Sequence, residues 1–190
     1  MSEILKEEAP FAAAFIAMRG KKGVKDTMVL GVQDEKYQEV KMPGGVGETT
    51  SSGGNESHYL TMKREVNSEA GVQVISARLV LVEKRTNRRT GGLHRRYFYL
   101  AEEVSALPAL DAPPRQVTET NPGNGSTEVL SCYWLPLREF AKRLFRGQHL
   151  AFGAVLAQLA SDRETGLEFC IEFADLLEEF PEPSELGLED

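Results

Sequence analysis

Long apolar runs are missing from this 190-residue chain. No stretch approaches the roughly 20 residues needed to cross a bilayer as a helix, so no membrane partner is expected. Cysteine is scarce: Cys132 and Cys170 lie far apart in apolar surroundings, and neither belongs to a CxxC or a Cys/His spacing of the zinc type. Two reduced core thiols in a cytoplasmic protein are the expectation. A basic excess is also lacking. The chain has 22 Lys and Arg against 29 Asp and Glu, a formal net charge of -7. General nucleic-acid affinity rests on phosphate neutralisation by Lys and Arg, so that class of partner is disfavoured. The opening MSEILKEEAP is acidic and without an apolar core, so it is not expected to be a signal peptide. No internal repeat is seen.

What is present is a hydrophobic fraction of 41%, enough for the core of one domain. FAAAFIAMRG (Phe11 to Gly20) is short, apolar and ends in Gly. It is expected to be a buried strand, with helix as the alternative because of its alanines. TMVLGVQ (Thr27 to Gln33) is a second strand and makes a hairpin with the first. ARLVLVEKRT and RRYFYLAEEV read as strands around a basic loop whose Gly91-Gly92 pair suits a hairpin. Ser105 to Thr127, rich in Pro, Asn and Gly, reads as loose chain. EVLSCYWLPL is a further strand, and Leu137–Arg146, Leu150–Ala160 and Glu168–Phe180 read as helices. Strands on both sides of a helix, followed by helices, give an α/β or α+β sandwich.

Between these strands lies MPGGVGETTSSGGNESHYLTMKREVNSEAGV (Met42 to Val72). Tyr59, Met62, Val66 and Ala70 recur at helical spacing and form one apolar stripe. Thr61, Glu65, Ser68 and Glu69 fall on the adjacent polar side. The helix is expected from Glu56 to Ala70, with Asn55 as its N-cap and Gly71 as its C-terminal stop. Glu65 and Glu69, at i and i+4, share a face. Two carboxylates on one rigid helix beside a glycine loop suit a hard divalent cation and phosphate chemistry. The alternative is an exposed helix face carrying ordinary charges.

The surroundings of that pair change the weighting. PGG, a loop, and then Glu56, seven residues, Arg64, Glu65, Val66, Glu69, Gly71 and Val72 resemble the box of the Nudix (MutT-like) hydrolases. The resemblance implies an α/β/α sandwich with a mixed sheet, here with additional C-terminal helices. It also implies metal-dependent cleavage of the diphosphate linkage of a nucleoside diphosphate derivative. Glu65 and Glu69 would bind Mg²⁺ or Mn²⁺, and Arg64 would pair with Glu56 in a structural role. Gly44 and Gly45 would let the backbone bend under the helix, next to substrate. Glu128, ahead of Trp134 in EVLSCYWLPL, would be a further metal ligand or general base. Trp134 itself reads as a packing residue. Domain bounds follow: an arm at 1–10, one Nudix-like domain at 11–180 (box 44–72, helices 137–180), and an acidic tail at 181–190. Many members of the family are dimers, which leaves a homodimer open.

Two departures stand out. Ten residues separate Gly45 from Glu56, five more than the family spacing. Ser68 replaces a glutamate that the family uses as a metal ligand. Activity could persist with Glu65, Glu69 and Glu128 holding fewer ions, Glu48 or Glu103 could substitute for it, or the domain could be a weakened or silent binder of a nucleotide or protein partner. The substrate is expected to be a small nucleotide-type molecule. KRTNRRTGGLHRR concentrates Lys84, Arg85, Arg88, Arg89, His94, Arg95 and Arg96. Of these, Arg88, Arg89, Arg95 and Arg96 would form a bidentate clamp for its anionic arms. A solvated hairpin tip is the other reading. Alternation places Arg96, Phe98 and Leu100 on one face and Arg95, Tyr97 and Tyr99 on the other. His58 reads as an exposed helix histidine or a phosphate neighbour. His149 reads as a cap or a solvated residue.

Overall fold

FAAAF forms β1 (Phe11–Phe15), and its alternation is buried on both sides. Ala12 and Ala14 face one core cluster, while Ala13 and Phe15 face the other. Small side chains on the first face let a helix approach closely. The computed structural model describes residues 8–20, 23–86, 91–120, 125 and 127–161. Residues 1–7, Arg88, Arg89, Cys170, the expected helix Glu168–Phe180 and the tail at 181–190 lie outside the described residues.

The chain continues through β2 (Ala17–Gly20), β3 (Gly23–Asp34), β4 (Gly44–Val46), α1 (His58–Ala70), β5 (Gln73–Thr86), β6 (Leu93–Ser105), β7 (Arg115–Thr120), β8 (Thr127–Pro136), α2 (Leu137–Arg143) and α3 (His149–Ser161). A 3₁₀ turn at Arg146–Gln148 joins the last two helices. One sheet has the order β4-β1-β6-β5 and is mixed, because β1 and β6 are parallel while the other pairs are antiparallel. The second, β2-β3-β8-β7, is antiparallel. Met62, Val66 and Ala70 of α1 pack on one side with Ala12, Ala14, Leu30, Val32, Tyr99, Leu130, Cys132 and Trp134. Phe140 of α2 and Phe152, Val155, Leu156 and Leu159 of α3 pack on the other, with Phe15 and Phe98. The result is an α/β/α sandwich. Among the described residues no helix is long and apolar enough to cross a membrane.

Four sequence expectations need correction. Phe11–Gly20 is not one strand, because the chain breaks at Ile16 and its two halves join different sheets. The expected hairpin with β3 is made by β2 alone. Ser105–Thr127 is not all loose: β7 lies inside it, an exposed, mostly polar edge strand with Val117 as its single large apolar residue. Such edges carry a weak hydrophobic signal. The helix after Pro136 ends at Arg143 rather than Arg146, giving way to the 3₁₀ turn.

Helix α3 is not an appendage. Phe152 is fully buried, with ring centroids 5.8 Å from Phe15 and 5.7 Å from Phe140. Phe152→Ala is expected to cost about 3–5 kcal/mol of folding free energy, read from urea denaturation. A loss below about 1 kcal/mol would mean that α3 is dispensable to the core.

Candidate functional site

Helix α1 starts two residues later than the sequence pattern predicts. Its N-cap is Ser57, not Asn55, and the Ser57 hydroxyl accepts the Leu60 N–H. Asn55 instead closes the long loop by bridging to Thr49, and the Glu56 N–H donates to the Glu48 carbonyl. The extra residues therefore form a closed excursion. Gly71 ends the helix at φ 70°, with its N–H on the Asn67 carbonyl, as its left-handed C-cap position requires.

The paired carboxylates do not lie on an exposed face. Glu65 is 8% and Glu69 5% exposed, and both point at β4. Glu69 Oε2 accepts the Gly44 N–H at 2.7 Å. A Cβ on Gly45 would lie 2.6 Å from the Glu65 carboxyl carbon, and one on Gly44 would lie 2.4 Å from the Ala13 Cα. The glycines thus serve close approach: Gly44 lets β4 pack on β1, and Gly45 leaves space for Glu65.

Arg64 ties this corner together. Its guanidinium donates to Glu56 at 3.0 Å, to Glu65 Oε1 at 2.7 Å and to the Val46 carbonyl at 3.1 Å. Thr61 Oγ1 also donates to Glu56. Burial raises the Glu56 carboxyl, but the hydrogen bonds from Arg64, the Glu48 backbone and Thr61 outweigh it and hold it below the ordinary value. The balance is opposite at Glu65, where burial pushes the carboxyl up against the pull of Arg64, with Glu119 and Glu56 adding to the rise. Glu69 is pushed up furthest. Burial leads, and the nearby charges of Glu119 and Glu65 add to it, while the Gly44 N–H and Lys41 oppose it.

Glu119 is the residue that sequence reasoning missed. It lies on β7, half-buried, and its Oε1 accepts the Ser68 hydroxyl at 3.0 Å. The available signal was RQVTET itself, a six-residue alternation with β-branched residues just before the turn-like NPGNG. Glu128 is the register partner of Glu119 across β7 and β8, so the two share a face. The Glu48 side chain is 72% exposed and among the described residues reaches Arg64 alone, at 3.6 Å, and Glu103 stays exposed on β6.

The basic hairpin is divided by the sheet. Arg96 faces away from α1, packs over the Phe11 and Phe98 rings, and is held by Glu83 at 2.9 Å and the Gly147 carbonyl at 2.9 Å. The structure does not bring it to the carboxylates. Arg95 alternates to the α1 face. His58 is half-buried rather than exposed. It stacks on Tyr97 with centroids 3.8 Å apart, and its Nδ1 shares a hydrogen bond with the Tyr99 hydroxyl. His149 Nε2 donates to the Leu144 carbonyl at 2.9 Å. Trp134 is 9% exposed and donates to the Pro108 carbonyl, a packing role as expected. Cys132 is a buried free thiol pushed up to about 12, by burial and then the Glu69 charge against Arg115.

Glu65, Glu69, Glu119 and Glu128 carry carboxylate oxygens, the ligand type that Mg²⁺ and Mn²⁺ prefer. Among the described residues no three His, Cys, Asp or Glu side chains form a group that could hold a metal ion.

No family model matches the chain, and no curated protein does either. Solved structures do resemble it. The MutT NUDIX hydrolase of Burkholderia pseudomallei is 17% identical, covers 77% of this chain and 97% of its own, and superposes with a TM-score of 0.50. The NUDIX domain of NrtR from Shewanella oneidensis, solved in complex with ADP ribose, is 18% identical over 80% of this chain and 88% of its own, with a TM-score of 0.51. Shewanella oneidensis NrtR itself is 14% identical over 94% of this chain and 81% of its own, at 0.52. The chain has the Nudix fold.

Burial of the Glu69 carboxylate leaves a mark on stability. A raised folded-state value means that the native protein holds the Glu69 proton more tightly than the unfolded chain does. The associated stability is present below the ordinary value of 4.5 and is lost as pH rises through the folded value. Glu69→Gln keeps an oxygen for the Gly44 N–H and cannot ionise. In chelator, its urea midpoint is expected to exceed the parent's in mildly alkaline buffer and to converge with it toward pH 4.5. A parent that is the more stable of the two in alkaline buffer contradicts this account of charge burial.

Proposed function

We propose that the chain is a divalent-cation-dependent hydrolase of the diphosphate linkage in nucleoside diphosphate derivatives. The observation that carries this reading is the burial of Glu65 and Glu69 together against the Gly44-Gly45 backbone, where like charges accumulate with little compensation. Groups displaced this way are more common at functional sites than elsewhere. The fold shared with a MutT NUDIX hydrolase and with the NUDIX domain of NrtR, solved with ADP ribose, supports the same substrate class.

In this reading Glu65 and Glu69 hold the cation. When bound, it would neutralise diphosphate oxygens and make a water more acidic. Arg64 fixes the Glu65 carboxylate, and Glu56 fixes Arg64, so neither needs to touch substrate. The Gly44 amide orients Glu69, and Gly45 leaves the space that the Glu65 carboxylate occupies. Glu128, the register partner of Glu119, would assist as ligand or base. Arg95 is the described arginine of the hairpin that lies on the α1 face and would meet an anionic arm of the substrate.

Phosphate release from a panel of nucleoside diphosphate derivatives, ADP-ribose included, is expected with Mg²⁺ or Mn²⁺ and absent in chelator. Glu65→Gln and Glu69→Gln should each lower kcat by about 10²–10³-fold. Unchanged turnover in either variant rules out this helix as the site. Ser68 favours one other reading, a weakened or silent domain that binds a nucleotide or a protein partner. Nucleotide binding without hydrolysis at any cation concentration would decide for it.

A further inference from the structure

The edge strand β5 exposes apolar side chains on the face that α1 occupies. Leu79 is paired in register with Tyr99 and Val82 with Tyr97, and both tyrosines belong to the α1 side of the sheet. A register shift between Leu79 and Leu81 keeps Leu79 and Val82 on that one face. Leu79 is 42% and Val82 40% exposed, and Ile75, further along the strand, is 50% exposed. Tyr59 of α1 borders them, with its ring 5.8 Å from that of Tyr99 and its hydroxyl on the Ile75 carbonyl. His58 and Tyr97, stacked and half-buried, complete the patch. Among the described residues β5 has a strand neighbour on one side only. A long edge with grouped apolar side chains is a contact surface rather than a finished exterior.

The chain itself holds a matching piece. Residues 162–190 carry 11 acidic side chains against the single base Arg163, a net charge of -10 within the -7 of the whole chain, which leaves +3 for residues 1–161. Within this stretch Phe169, Phe173, Leu176 and Phe180 recur at spacings of 4, 3 and 4, the spacing of an amphipathic helix. Lys63, whose ammonium lies 5.7 Å from the Tyr59 ring centre, and Lys84, exposed on the α1 face of β5, flank the patch, and Glu103 is the acid at its far end. The route is short. α3 packs on the other face of β5 and β6, and its Ala160 meets the same core as Val80 and Leu81. From Ser161, the six residues 162–167 span up to about 20 Å when extended, twice the roughly 10 Å between packed layers. They can round the free edge of β5.

We propose that residues 168–180 of this chain dock on this patch, covering Ile75, Leu79 and Val82 and extending the α1 layer over the edge of the sheet. The stripe of Phe169, Phe173, Leu176 and Phe180 meets the apolar side chains, and the acids beside it meet Lys63 and Lys84. The contact is intramolecular, so it forms at any protein concentration, and its ionic part is screened by salt.

The test is hydrogen exchange read by mass spectrometry on the full chain, with light scattering for mass and urea midpoints for folding. The parent is expected to have the mass of one chain. Leu79→Asp/Val82→Asp is expected to speed exchange across residues 168–180 by about 10-fold or more. The reciprocal variant, Phe173→Asp/Leu176→Asp, is expected to speed exchange at the outward-facing amides of β5 by a similar factor, and it decides alone where the first does not fold. Unchanged exchange across 168–180 in the folded first variant, or at β5 in the second, overturns the docking. A parent with the mass of two chains that falls to one in Leu79→Asp/Val82→Asp assigns the patch to a second copy and overturns it as well.

Discussion

Glu69 reaches from α1 to the Gly44 amide, and the geometry of the site depends on that contact. For the carboxylate to arrive there, β4 must lie close under the helix, which only residues without a Cβ allow at positions 44 and 45. β4 must also pair with β1, and β1 must present Ala12 and Ala14 upward so that the helix can descend. A chain of small residues, from the alanines of β1 to the glycines of β4, thus sets the depth at which two acids are buried. Larger residues would lift α1 and return Glu65 and Glu69 to solvent, where their charges would have little consequence.

That depth makes the electrostatics unusual. Arg64 is shared among Glu56, Glu65 and, more distantly, Glu48, while Lys41 is the cation that acts on Glu69. Elsewhere the fold pairs its buried charges closely: Arg96 and Glu83, on the opposite face, have each other, a carbonyl and two aromatic rings. The contrast separates two kinds of buried charge. Arg96 and Glu83 form a satisfied structural pair, whereas the α1 carboxylates carry a surplus of negative charge in a region of low dielectric. On the proposed reading, a divalent cation removes the surplus.

The parts of this arrangement that were legible in the sequence are those with local causes. The α1 stripe, its Gly71 stop, the β5–β6 hairpin and the two faces of β6 follow from periodicity and spacing within a few residues, and the Arg64–Glu56 pair from the resemblance of the box. Errors arose where the cause was tertiary. Ser57 caps α1 because the loop before it folds back on Glu48, which detaches Asn55. His58 is half-buried because β6 offers it Tyr97 and Tyr99. Arg96 belongs to a core pair, since a basic run carries no sign of which members a sheet will turn inward.

Position 68 shows why a motif read along one helix is incomplete. Within α1, a serine in place of an acid reads as a missing ligand. In the folded chain the same serine is a donor, and its acceptor is a glutamate 51 residues away on an edge strand. Only the pairing of β7 with β8 places that glutamate over the last turns of α1. The role of Ser68 is therefore to tie the helix to the strand, which the sequence of α1 alone does not show. Arg115, on the same face of the same strand, donates to the Ser68 carbonyl, so β7 is tied to the last turn of α1 at two points.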